Sequence, residues 1–249
     1  MRILLIAGHG NGDPGAIGNG HTEADLVREI VPALRDKLKP YADVTVFDMR
    51  KNPYNYFKAY FFNFRKYDYV FEVHLNANKK ELVSNGKTKG VEMLVHPSEK
   101  AVNVENEILR RVSALGFANR GIKRPTDLQN MNICKGKQGV SYALMETCFI
   151  DDIDDMKLYT AKKDAVIQAM ADGIIYGFGL KEEADEMTKE DVIAIIKEYE
   201  AEKAKESAGT WSKVAFEKAK KRGILDGSAP KGNTTREMLA VVLDRLGLL

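Results

Sequence analysis

Four side chains of this 249-residue sequence have the types and positions to work on a substrate around one divalent cation. His9 follows the apolar run Ile3 to Ala7, in Gly8-His9-Gly10-Asn11-Gly12-Asp13-Pro14-Gly15-Ala16. His74 ends another apolar run, in Glu72-Val73-His74-Leu75-Asn76-Ala77. Glu23 lies in the first turn of a helical pattern that opens at Thr22. Two histidines and one carboxylate are a recurrent ligand set for catalytic Zn2+, with a fourth position left to water. Zinc lowers the pKa of that water to about 7 and polarises the carbonyl under attack. The chemistry then needs a proton acceptor. Glu146, in Met145-Glu146-Thr147-Cys148-Phe149-Ile150, is the candidate, because an acid closing the apolar run Tyr142 to Met145 is costly unless it faces a polar site. Taken singly, each residue has a plainer reading. His9 can bond its own turn, Glu23 can favour the helix dipole, His74 can be a core residue, and Glu146 can pair with a buried base. His21 competes with Glu23 as third ligand, and His96 before Pro97 reads as an ordinary strand end. The glycine loop lacks the Gly-Lys-Ser/Thr ending of a phosphate-binding loop, which sets nucleotide chemistry aside.

The elements that must carry these side chains follow from periodicity. Residues 2–7 read as a buried strand and Gly8 to Gly20 as a loop. Leu26, Ile30, Ala33, Leu34 and Leu38 recur at helical spacing from Thr22 to about Leu38. Further strands are expected at 44–47, 69–74, 90–95 and 141–149, and helices at 54–64, 102–115 and 161–176. Residues 120–139 lack periodicity and read as a surface loop. Strands alternating with helices indicate an α/β fold: a mostly parallel twisted sheet with helices on both faces, followed by a small all-α module. In such sheets sites lie beyond the carboxyl ends of the strands, where His9 and His74 fall. Cys148, two residues from Glu146 on a strand, is expected on the same face and so beside the site. With no Cys-x-x-Cys pattern, Cys134 and Cys148 suggest neither a disulfide framework nor a thiolate metal site.

The break near Leu180 divides the chain into an expected catalytic domain, residues 1–180, an acidic linker, 181–190, and a helical module, 191–249. Thr188 to Asp191 reads as a capping box, and Thr234 to Glu237 as the cap of a last helix running to Leu246. The net charge of +2 is unevenly spread. Residues 181–208 hold 10 Asp/Glu against 5 Lys, and residues 209–249 hold 8 Lys/Arg against 4 Asp/Glu. A basic terminal module suits an anionic polymer. No nucleic-acid motif accompanies it, and no apolar run is long enough to span a membrane, so neither partner is expected. The first residues show no export signal, the apolar stretch being short and ending in a Gly/Asp/Pro-rich loop.

Gly-His-Gly-x-x-Asp-Pro-Gly-Ala, then a helix-start Glu, then His-x-Asn-Ala, then a strand Glu, resembles the pattern of N-acetylmuramoyl-L-alanine amidase family 3. The ordered set spans residues 1 to about 180. The resemblance implies that His9, Glu23 and His74 bind zinc and that Glu146 is the catalytic acid/base. It implies hydrolysis of the amide between the lactyl group of N-acetylmuramic acid and L-alanine in peptidoglycan. The tail is similar to a shortened S-layer-homology motif: Trp211 to Ala219, then Gly223-Ile224-Leu225-Asp226-Gly227, then Thr235-Arg236-Glu237-Met238. That suggests binding of peptidoglycan or a secondary wall polymer through residues 191–249. A wall hydrolase without an export signal fits a phage or prophage endolysin, made in the host cytoplasm and released through a holin pore. Two rival readings are a zinc carboxypeptidase-like hydrolase of the stem peptide and a non-catalytic wall-binding protein.

Overall fold

The structure, a computed structural model, describes residues 1–78, 83–182 and 189–249. Its contacts fall into two units, Met1–Glu183 and Ala184–Leu249, each described by itself. The first is built on a six-stranded sheet. Its strands are β1 (Arg2–Ala7), β4 (Asp43–Val46), β5 (Tyr69–Asn76), β6 (Val91–Val95), β7 (Asn119–Lys123) and β8 (Ser141–Phe149), in the order β4-β1-β5-β8-β6-β7. Four of the five pairings are parallel; β6 against β8 is antiparallel. A small antiparallel pair, β2 (Ile17–Gly18) and β3 (His21–Thr22), sits inside the glycine-rich loop.

Strand alternation sorts the core into two layers. Ile3, Leu5, Phe71, Val73, Ala143 and Met145 point to one face, against α1 (Glu23–Leu38), α3 (Asn103–Ser113) and α5 (Ile153–Phe178). Leu4, Ile6, Val70, Tyr142 and Leu144 point to the other. There the cover is lighter: α2 (Pro53–Ala59), a 3-10 turn at Phe64–Lys66, and a short helix α4 (Gln129–Met131) running into a wider π-helical stretch, Asn132–Lys137. The site opens on this thinly covered face.

Helix α1 forms as its sequence dictates. Thr22 accepts the Asp25 amide at the N-cap, Glu23 and Asp25 lie in the first turn, and a buried stripe runs from Leu26 to Leu38. Four expectations are corrected. The helix expected at 54–64 ends at Ala59, because Tyr60 to Asn63 leave the helical path and tuck Phe62 against Phe57 and Phe64. The expected loop at 120–139 holds β7, whose polar edge-strand residues show no alternation, and α4 with its π-helical extension. The closing helix begins at Ile153, capped by Asp152, and kinks at Lys162. Cys148 does not share the face of Glu146. His74 pairs with Glu146 and Asn76 with Phe149, so β8 carries an extra residue there, and that bulge turns Cys148 into the opposite core layer. Both cysteines are free and buried.

The second unit contributes α6 (Lys189–Lys205), α7 (Lys213–Lys221) and α8 (Arg236–Arg245). Thr235 caps α8 by accepting the Met238 amide, whereas the cap expected at Thr188 lies outside the described residues. Within the unit, Glu200 and Glu206 of the α6 region bond Asn233 and Lys231 ahead of α8. No described helix is long and apolar enough to cross a membrane.

Candidate metal centre

Strand register builds the site. His74 lies opposite Glu146, and Glu146 opposite Glu92, across three adjacent strands. The Gly8 amide bonds Val73 O, which sets Gly8 on the other side of His74. A transverse row Gly8–His74–Glu146–Glu92 thus crosses the thinly covered face. The glycine is needed for space: a Cβ at residue 8 would stand 2.3 Å from His74 Cε1. His9 turns out of the row in the left-handed region, at φ 59°, a strained conformation for a histidine. It is braced by Arg28, whose guanidinium donates to the carbonyls of Gly8, His9, Ala24 and Met49.

Glu23 reaches from the first turn of α1 between the two imidazoles. His74 Nδ1 is 2.8 Å from its Oε1, and His9 Nε2 is 3.0 Å from its Oε2. The backbone amides of Leu75 and Ala16 donate to the same two oxygens. The imidazole rings are 4.9 Å apart and nearly perpendicular. One ligand atom from each of His9, Glu23 and His74 lies within 4.8 Å of the others. Of the four sequence-identified residues these three meet directly, with Glu146 beside His74. His21 stays on the exposed β3 and is not part of the cluster, which leaves Glu23 as the third member. His96 bonds Ser98 instead.

Electrostatics at this site favour a cation. Burial opposes ionisation of Glu23, but hydrogen bonds and attraction from His74 and His9 hold its carboxyl far below the usual range. Burial likewise opposes protonation of both imidazoles, yet the Glu23 carboxylate raises His9, and Glu23 with Glu72 raises His74 well above 6.5. The metal-free site thus draws in protons where a divalent ion would sit. Glu146 is pushed up to about 7, chiefly by burial, with His74 opposing and the Glu23 and Glu92 carboxylates adding to the rise. Its buried Oε2 has no hydrogen-bond partner among the described residues. The donor set fits zinc: imidazole nitrogens and one carboxylate are its usual ligands.

Several contributors escaped the sequence reading. Asp13 bonds His9 Nδ1 at 2.9 Å, and Asn52 Nδ2 donates to the same Asp13 oxygen. Glu72 bonds His74 Nε2 at 3.0 Å. Glu92 accepts from Asn76 and Arg120. Glu72 was open to detection, since residues two apart on a strand share a face. Arg120 and Asn130 were not, because they lie in the segment without periodicity. A cleft of about 210 Å³ gives access to His9 and His74; its lining includes Asn52 to Tyr54 at the start of α2 and Asp127 to Asn130 before and within α4.

Comparison with known proteins agrees with this geometry. A probable autolysin of Staphylococcus aureus is 26% identical over 194 residues, covering 71% of this chain and 38% of its own length. The endolysin of Bacillus phage SPP1 is 28% identical over 180 residues, covering 69% of this chain and 62% of its own. The chain therefore spans less than two thirds of either relative. Among solved structures, the catalytic domain of the CD27L endolysin, which targets Clostridia difficile, matches 71% of this chain and 97% of its own length, at 25% identity and a TM-score of 0.56. The family model described as N-acetylmuramoyl-L-alanine amidase matches residues 3–176, which hold all of the sheet but Arg2 and all four residues of the centre. The chain belongs to the N-acetylmuramoyl-L-alanine amidase family.

Proposed function

We propose that this chain hydrolyses the amide bond between the lactyl group of N-acetylmuramic acid and L-alanine in peptidoglycan, using zinc held by His9, Glu23 and His74. The observation that carries the proposal is a buried, unpartnered carboxyl oxygen on Glu146, set one strand away from a His–Glu–His cluster.

Bound zinc would supply Lewis acidity, acidifying water and polarising the scissile carbonyl. The protein does the rest. Glu146 accepts the proton of the attacking water as the new C–O bond forms. It returns that proton to the alanine nitrogen as the C–N bond breaks. A carboxyl poised near 7 is matched to both transfers at neutral pH. The Ala16 and Leu75 amides each hold one oxygen of Glu23, which keeps its carboxylate aimed between the two imidazoles. No nucleophilic side chain of the protein is required.

Glu146→Gln tests the assignment. It is expected to retain stoichiometric zinc and lose turnover by at least about 100-fold, the scale of general acid–base catalysis. Near-normal activity would remove Glu146 from the mechanism. Products should carry a new L-alanine amino terminus and no new reducing sugar, which separates an amidase from a stem-peptide carboxypeptidase.

The further proposal is that the chain acts as a phage or prophage endolysin, reaching the wall from the host cytoplasm through a holin pore. The likeness to the SPP1 protein, named an endolysin, supports it. Residues 191–249 are proposed to hold the enzyme on the wall or a secondary wall polymer. Their basic end and the α7–loop–α8 arrangement, with α8 capped by Thr235, support this.

A further inference from the structure

His74 has a second acidic neighbour besides Glu23. Glu72 precedes it by two residues on β5, on the same face, with only 3% of its side chain exposed. A carboxylate buried so far is costly unless every lone pair is used. Here they are. Oε1 takes His74 Nε2 at 3.0 Å and Asn130 Nδ2 at 3.1 Å. Oε2 takes the Tyr142 hydroxyl and Asn130 Nδ2. Tyr142 and Asn130 are themselves buried, so neither donor swings away easily.

The consequence is a fixed ring. An ionised carboxylate can only accept, so without a cation His74 donates from Nε2 to Glu72 and from Nδ1 to Glu23, and a cation taking Glu23 would displace only the Nδ1 proton. With Nε2 kept on Glu72, Nδ1 is the nitrogen left to offer a lone pair to a cation beside Glu23. The missing Cβ at Gly8 gives the ring its slot, and Glu72 sets the ring's tautomer within it. His9 has a looser counterpart in Asp13, whose side chain is 44% exposed.

We propose that Glu72 is a positioning residue of the metal centre, holding His74 with Nε2 protonated and Nδ1 directed at the metal, while Tyr142 and Asn130 hold Glu72. This rests on the reading that His9, Glu23 and His74 bind a divalent cation. Carboxylates behind a ligating imidazole typically contribute 10- to 100-fold in metal affinity.

The test uses the full chain. Zinc affinity is measured by competition with a chromophoric chelator, for wild type and Glu72→Gln, and each is loaded with cobalt for its visible spectrum. Glu72→Gln preserves shape and an acceptor oxygen but removes the charge. It is expected to bind zinc about 10-fold or more weakly, with a changed cobalt spectrum. Tyr142→Phe, which leaves Glu72 in place with one donor fewer, is expected to lose less. Equal zinc affinity and an identical cobalt spectrum in Glu72→Gln would overturn the proposal while leaving the metal centre standing. A wild-type chain that binds no divalent cation would overturn both. Should Glu72→Gln fail to fold, nitrogen NMR of the zinc-loaded wild type decides. A proton on His74 Nε2 with Nδ1 on the metal supports the proposal, and the reverse arrangement refutes it.

Discussion

Glu23 lies between two imidazoles, and this makes the stability of the centre respond to pH in opposite ways with and without a cation. In the metal-free protein its carboxyl is depressed, so its contribution is present above the unfolded value of 4.5 and is lost as pH falls through the folded one. His9 and His74 are raised, so their contributions are complete below 6.5 and are lost as pH rises through their folded values. The chelated protein should therefore be most stable in mildly acid solution and weaken on the alkaline side. Zinc needs neutral imidazoles, so its stabilisation grows with pH instead. Melting temperatures from about pH 6 to 8.5 should fall with chelator and hold or rise with zinc. Parallel curves would mean that these histidines do not take the metal. At this scale the sequence was readable where a polar side chain interrupts an apolar run at a strand end, as with His9, His74 and Glu146. It was unreadable where a residue acts through a partner distant in the chain, as Asn130 does on Glu72 across 58 positions.

Elements deliver those side chains, and they were legible to the extent that one face of each is buried. β1, β5 and α1 carry strong apolar periods because each packs on a core layer. β7 lies at the sheet edge with polar residues on both faces, and α5 begins in the acidic run Asp151 to Asp155, which reads as a loop. The β8 bulge leaves no mark in the pattern at all, yet it decides which residues after Glu146 face the core. Against the opposite face, α3 and α5 cross closely at Gly173, where a Cβ would stand 2.7 Å from Ile108 Cα. Gly173→Ala should therefore push the two helices apart. The strain of overpacking, about 1–3 kcal/mol, outweighs the gain of up to about 1 kcal/mol in helix propensity. Urea unfolding is expected to show a net loss of about 1–2 kcal/mol with zinc affinity unchanged, because the layer disturbed lies across the sheet from the centre. A weakened zinc site in this variant would show that the two layers are coupled.

At the scale of the molecule, every residue of the centre and both core layers belong to the first unit. In the second, α7 and α8 bury no residue, and Trp211 is 92% exposed. A unit of this size with so little buried has only a marginal core of its own. What it does carry is charge: 8 Lys/Arg against 4 Asp/Glu in residues 209–249. If that charge holds the chain on an anionic wall, its effect is to raise local concentration, not to change the proposed chemistry. A chain ending at residue 182 should then melt within a few degrees of the full chain and cleave a small muramyl peptide at the same kcat/KM. On intact walls it should be slower at low salt. Screening shortens the reach of surface charge from about 10 Å at 0.1 M salt to about 3 Å at 1 M, so the advantage of the full chain should shrink as salt rises. Equal wall binding by the two chains at every salt concentration would remove the anchoring role from residues 191–249. A salt-independent advantage would assign the anchoring to the exposed apolar side chains such as Trp211 and Leu239 instead of to charge.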